Sequence, residues 1–367
     1  MSYTVTTLKT FIFGKSLAKN ESFPMYKPNF EITPKILDLI AKTSSARELI
    51  FNAQIVPQWE VSLRRDALLD NAHASTSIEG NTLTKEEVTE LSLGREVLKT
   101  KREKQEVLNY LDALANLNKL TNDSKLTKTD ILKAHSWVVK DTLEKPEWEG
   151  AFRKVQVYVG NQRTGQVSYV PPKPEEIEGE LDNFLEWLNS KHDIHPVLEA
   201  GITHYEMARI HPFVDGNGRL ARLIATWVLV NRDFDIKRFF SLDDYYNSDR
   251  RAYYEALKTV DRETVNITKW LEYFSEGVAI SIEAVKKKVL MLSGGKRKSG
   301  KAQIVLSDRQ AKIVEHVSQY DKVTNSDVQK ILNVKRQVAT KELTKLLKEG
   351  ILKKIGTYKD ARYIFSD

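Results

Sequence analysis

Twelve consecutive residues, His211-Pro212-Phe213-Val214-Asp215-Gly216-Asn217-Gly218-Arg219-Leu220-Ala221-Arg222, bring together a base, a carboxylate, a glycine turn and two guanidinium groups. Gly216 and Gly218 let the backbone turn tightly and approach a ligand without Cβ interference. Leu220, Leu223, Ile224 and Trp227 then follow with the spacing of an apolar helix. The unpaired N–H groups at such a helix start point back at the turn and form an anion site. Arg219 and Arg222 share one helix face and can both reach that anion. Asp215 beside phosphates is a natural Mg²⁺ ligand, because magnesium takes one or two carboxylates plus substrate oxygens. His211, just ahead of the turn, can accept a proton near neutral pH. Alone, a glycine turn or a histidine is usually structural. Placed in one register before a helix, the parts indicate phosphate chemistry.

Helices must supply most of the positioning. Apolar spacing predicts helices over Pro34–Phe51 and Val61–Ile78, the second stopping at Glu79-Gly80-Asn81. Thr84 with Glu87 three residues on reads as a capping box. Further helical stretches are expected over Glu103–Leu120, Lys128–Val139, Glu175–Asn189, Pro196–Arg209, Gly218–Asn231 and Ile267–Leu292. The rhythm changes at Lys154–Val159 and Gln166–Val170, which alternate like the strands of a β-hairpin. Ser293–Gly300 has the composition of a linker. Beyond it, Asp308–Phe365 reads as helix, short helix, longer helix and two strands.

The 211–222 segment matches, at every defining position, the signature of the Fic family, His-x-Phe-x-Asp/Glu-Gly-Asn-Gly-Arg-x-x-Arg. Ser75-Thr76-Ser77-Ile78-Glu79-Gly80 resembles that family's inhibitory motif, placed ahead of the core as in its N-terminal inhibitory-helix class. The resemblance covers about residues 30–290. It implies a mainly α chain, with a Fic-type helical bundle and a β-hairpin flap. It also implies a protein adenylyltransferase that moves AMP from ATP, with Mg²⁺, to a protein hydroxyl. His211 would be the base and Phe213 a structural anchor of the loop. Asp215 would hold the metal, while Gly216, Asn217 and Gly218 form the anion hole. Arg219 and Arg222 would hold the outer phosphates. Tyr246 and Asn247 fall where the family contacts the nucleoside, although tyrosines at this spacing fit core packing equally well. Glu79 would pair with Arg222 and hold the enzyme inactive; the same carboxylate could serve as base for hydrolytic removal of AMP. The 154–170 hairpin would pair with an extended target protein, or with this chain itself. Arg153, just before the hairpin, reads equally as a surface ion pair or a substrate contact.

Composition bounds the remainder. The chain has 367 residues, 41% hydrophobic and 29% charged, as in globular proteins, and no cysteine. Disulfides, thiolate metal sites and cysteine nucleophiles are therefore excluded. No apolar run has the length of a membrane span, and Met1–Asn20 lacks the apolar stretch of a secretory signal, so a cytoplasmic location is expected. His192 and His195 have no further ligands near in sequence, and His204 reads as a core histidine. The net charge of +7 is uneven: from Lys296 onward 17 Lys/Arg face 8 Asp/Glu. The tail resembles a winged helix, a small α/β domain with Lys335–Lys348 as its recognition helix. Lys335, Arg336 and Lys341 are candidate DNA phosphate contacts there. Such tails also bind proteins. A DNA-binding regulator with a nucleotide-sensing core is thus the alternative to the enzyme, and a homodimer is compatible with either. The expected organisation is an N-terminal helical region over 1–110, a catalytic core over 111–292, a linker over 293–303 and the winged-helix-like domain over 304–367.

Overall fold

Two long helices joined by the 211–216 loop lie at the centre of the chain's largest unit. The computed structural model describes residues 26–53, 55–161, 165–260, 264–293, 306–320, 322–356 and 361–366. The leading segment Met1–Asn20 and, beyond Ser293, the expected linker lie outside the described residues. The described chain is mainly helical. Its elements are α1 (Pro34–Asn52), α2 (Pro57–Ile78), α3 (Lys85–Ser92), α4 (Lys101–Ala115), α5 (Lys128–Val139), β1 (Val159–Asn161), β2 (Gln166–Tyr169), α6 (Ile177–Asn189), α7 (Pro196–Ile210), α8 (Asn217–Asn231), α9 (Leu242–Ser248), α10 (Arg250–Lys258), α11 (Thr268–Ser293), α12 (Asp308–Tyr320), α13 (Asn325–Leu332), α14 (Arg336–Lys348), β3 (Leu352–Ile355) and β4 (Arg362–Phe365).

Two compact units divide this chain. One gathers the described residues up to 45, of 68–236 and of 240–282; the other gathers those of 46–67, of 237–239 and from 283 onward. In the first, α7 and α8 are buried on nearly every side, with Ile202, Met207, Leu220, Leu223 and Ile224 at 1% exposure or less. Helix starts follow the cap signals. Thr84, Thr100 and Thr127 each accept from the N–H three residues on, while Glu87, Glu103 and Asp130 return the bond. The end of α2 is equally local in origin. Asn81 N–H bonds the Thr76 carbonyl and Gly80 N–H bonds that of Ser77, with Gly80 left-handed at φ 99. This is a Schellman stop, which requires glycine at that position.

The hairpin is shorter than expected. β1 and β2 pair antiparallel with Gly160 opposite Val167, but residues 154–158 make no ladder. That stretch is held instead by side chains: Arg153 Nη1 donates to the Val155 carbonyl, and Gln156 Nε2 donates to those of Val157 and Pro171.

In the second unit, α12, α13 and α14 precede the antiparallel pair β3–β4, and Val323 bridges Tyr363 of β4. The core of this unit is Ile313, Val314, Val317, Val328, Leu343 and Leu346, joined by Val61 from α2.

Candidate active site

A cavity of about 230 Å³ opens over the α7–α8 loop, lined by His211, Asp215, Gly216, Asn217, Gly218, Arg219 and Arg222 together with Glu79. Residues contributed by one short peptide therefore meet a carboxylate from a distant helix end.

His211 ends α7 in the left-handed region, at φ 50 and ψ 57. A side chain with a Cβ pays for that conformation in strain, so the surroundings must hold it. Arg153 does so. It is 3% exposed, its Nε donates to the His211 carbonyl and its backbone N–H to that of Pro212, both at 2.9 Å, and its other amino groups reach the carbonyls of Val155 and Pro172. Neither the surface ion pair nor the substrate contact read from the sequence describes it: Arg153 is a clamp on backbone carbonyls. The His211 Nδ1 lies 3.2 Å from the Ala208 carbonyl, which can only accept. The proton is therefore on Nδ1, and Nε2 presents its lone pair. Burial pushes the His211 pKa down to about 4; the Arg153 charge acts in the same direction, against the Ala208 carbonyl and Asp215. The ring is neutral at pH 7 and ready to take a proton.

The loop is braced from inside. Asn217 Oδ1 accepts from Phe213 N–H at 3.0 Å and its Nδ2 donates to the Phe213 carbonyl at 2.9 Å. The Phe213 ring, fully buried, stacks on His135 at 3.6 Å. His135 Nδ1 accepts from Gly150 N–H, so its Nε2 donates to the Asp215 carbonyl at 3.0 Å. Burial holds the His135 pKa at about 4, keeping this relay neutral. Gly216 then turns left-handed at φ 81 and starts α8 without a side-chain cap, leaving the helix start open to the cavity.

Arg222 is 1% exposed and fully engaged. Its Nε donates to Ser75 Oγ at 2.8 Å, and its Nη2 to the Ser75 carbonyl at 3.0 Å and to Glu79 Oε1 at 2.8 Å. Asp243 lies 3.8 Å from Nε, and burial raises its pKa to about 6 in spite of the guanidinium. Arg219, 2% exposed, behaves differently: its Nε and Nη1 have no hydrogen-bond partner among the described residues, although Asp215 and Glu106 stand 3.8 and 4.0 Å away.

Sequence reading missed Arg102 and Glu106. Arg102 Nη2 reaches Asp215 Oδ2 at 3.2 Å and its Nε reaches Glu106 at 3.0 Å; both residues line the cavity. The apolar, helical spacing of α4 carried no signal for this, because the contact spans more than a hundred residues of chain. Tyr246 is fully buried, stacked on Tyr253 at 4.7 Å and edge-on to His204, while Asn247 accepts from Arg250. Neither lines the cavity; Tyr253, Tyr254 and Leu257 do. His204 is the core histidine expected, bonded to the Tyr253 hydroxyl at 2.9 Å. His195 caps α7 and His192 stacks on Trp187. From the hairpin, Val159, Ser168 and Tyr169 complete one wall.

The chain is similar to known proteins. The Fic/DOC family pattern matches residues 125–229. The protein adenylyltransferase Fic of Nematostella vectensis is 32% identical over 226 residues, which are 57% of this chain and 49% of that protein. That of Drosophila virilis is 35% identical over 182 residues, 47% of this chain and 34% of that protein. The chain thus spans about half the length of the first relative and about a third of the second. Among solved structures, a Fic family protein from Desulfovibrio desulfuricans superposes with a TM-score of 0.63 at 23% identity, covering 93% of this chain and 98% of that one. Fic-1 from C. elegans gives 0.54 at 25% identity, over 70% and 72%. The motif, the loop it forms and the two helices that hold it all lie in or within two residues of the 125–229 stretch that is similar to the Fic/DOC family.

Proposed function

We propose that this chain transfers AMP from ATP to a hydroxyl side chain of a protein, and that Glu79 restrains the activity. The observation that carries the reading is Arg219. Its guanidinium is almost fully buried at the cavity, with two nitrogens that have no hydrogen bond among the described residues. Buried donors without partners are costly, and a phosphate entering beside the open start of α8 would satisfy them. The curated relatives, named protein adenylyltransferases, support the same chemistry.

In this reading His211 Nε2 removes the target's hydroxyl proton as that oxygen attacks the α-phosphorus. The new O–P bond forms while the bond from the α-phosphorus to its bridging oxygen breaks, and pyrophosphate leaves. A positioned base contributes about 10²–10⁴-fold; the guanidinium groups and helix start stabilise the developing charge. Asp215 fits a magnesium ion, since its carboxylate offers hard oxygens, the residue lines the cavity and its side chain is 34% exposed. Bound there, Mg²⁺ would neutralise phosphate charge. The hairpin forms one wall of the cavity and suits an extended target segment or a segment of the chain itself. Catalysis is assigned to 111–292 and the restraint to 1–110.

Glu79 takes the guanidinium that an outer phosphate needs. An ion pair of this kind is worth up to about 4 kcal/mol before desolvation, and each ~1.4 kcal/mol is tenfold in rate. The test is intact mass of wild type, Glu79→Gly and His211→Ala after incubation with ATP and Mg²⁺, alone and in cell lysate with labelled ATP. Adduct raised at least tenfold by Glu79→Gly and absent in His211→Ala is expected. Equal labelling by all three overturns the reading. A second reading, removal of AMP with Glu79 as base, is favoured by one detail: the Glu79 carboxylate lines the same cavity as His211 and the start of α8. Retained AMP removal by Glu79→Ala counts against it.

A further inference from the structure

Helix α14 separates its residues by chemistry. Ala339, Glu342, Leu343 and Leu346 face the core of the second unit, at 5% exposure or less. The outward stripe carries four basic residues, Arg336, Lys341, Lys345 and Lys348, interleaved with Gln337, Thr340 and Thr344, all exposed. It has no carboxylate. Glu342, the single acid of the helix, is turned inward with Lys345 at 3.5 Å. A merely solvated helix mixes signs, as α12 does with its exposed Asp308, Arg309 and Lys312. A face of cations and neutral hydrogen-bonding groups instead complements a polyanion that also offers base edges.

The approach to α14 is built for docking. Asn333 ends α13 in the left-handed region at φ 49, so that three residues turn the chain into α14, whose start has no side-chain cap. Asn325 of α13 holds Thr340 of α14 at 3.0 Å. The hairpin that follows exposes Lys354 and Arg362.

We propose that this unit binds duplex DNA, with α14 in the major groove and the β3–β4 pair against the backbone. Arg336, Gln337 and Thr340, in the first turns of α14, meet base edges; Lys341, Lys345, Lys348, Lys354 and Arg362 meet phosphates. This rests on residues 306–366 alone and is independent of the AMP-transfer reading.

The experiment is fluorescence anisotropy of the full chain with a labelled 30-bp duplex of mixed sequence. About four to five phosphate contacts give a slope of log K against log[salt] of roughly −4. Affinity is then expected to fall by about two orders of magnitude between 50 and 200 mM salt. Arg336→Glu with Lys341→Glu should weaken binding at least tenfold. Lys27→Glu with Lys42→Glu, exposed residues of the first unit with the same change in net charge, should weaken it less than threefold. Equal losses from the two pairs would reduce the effect to net charge and overturn the proposal. No anisotropy change at 50 mM salt would also overturn it, and would leave the stripe as a surface for an acidic protein.

Discussion

Asp215 is claimed twice before any ligand arrives. Its Oδ2 accepts from Arg102 at 3.2 Å and its Oδ1 from Gly216 N–H at 2.6 Å. If Asp215 holds the metal, Arg102 competes with the cation for Oδ2. The Arg102 side chain is 58% exposed, and exposed pairs are worth about 0–1 kcal/mol. Arg102→Ala should therefore tighten Mn²⁺ binding by up to roughly fivefold, read from free Mn²⁺ by electron paramagnetic resonance. Weaker binding in the variant would mean that Arg102 supports the metal site rather than opposing it. The same scale explains His211: one carbonyl fixes its tautomer, and burial keeps it neutral.

At the scale of elements, the end of α2 and the start of α8 meet side chain to backbone. A Cβ built on Gly218 would run into the Glu79 carboxylate and come within 3.4 Å of Arg222 Nη1. Alanine in a helix is otherwise better than glycine by about 0.5–1 kcal/mol. Gly218→Ala should then lower stability in the wild type, yet be neutral or stabilising in a Glu79→Gly background. The expected coupling is about 1–2 kcal/mol, within the range for residues in contact, measured as a double-mutant cycle by thermal denaturation. Additive effects would show that the carboxylate does not rest over Gly218 in solution. The Schellman stop at Gly80 fixes where the Glu79 side chain leaves the helix, so two adjacent residues share one task.

Across the first unit, His135, His204 and His211 are all held neutral, chiefly by burial. Their folded pKa values lie below the unfolded value near 6.5, so below that pH the unfolded chain binds more protons and stability falls as pH falls. Asp243, raised to about 6 by burial, and Glu206, also raised by burial, act in the opposite sense but are outnumbered by the three histidines. The melting temperature should therefore drop between pH 7 and pH 4.5, measured by calorimetry. A flat profile over that window would contradict the buried neutral histidines. No helix among the described residues is long and apolar enough to cross a membrane.

The sequence by itself determined what is decided within a few residues. The helix start at Thr84, the stop at Gly80, the 211–222 loop and the acid-free stripe of α14 all depend on neighbours within about a turn or two. Their chemistry is legible because the partners are adjacent in chain. The family signature added the pairing of Glu79 with Arg222, which spacing alone could not supply. Only the tertiary structure decided contacts made across long loops. Arg102 on Asp215, His135 beneath Phe213, Arg153 on the His211 carbonyl and Tyr246 inside its aromatic cluster are of this kind. The short β1 is another case, since side-chain clamps replaced the ladder that alternation suggested. Each depends on which surfaces pack together. That choice is set by burial summed over the whole core, which no local pattern encodes.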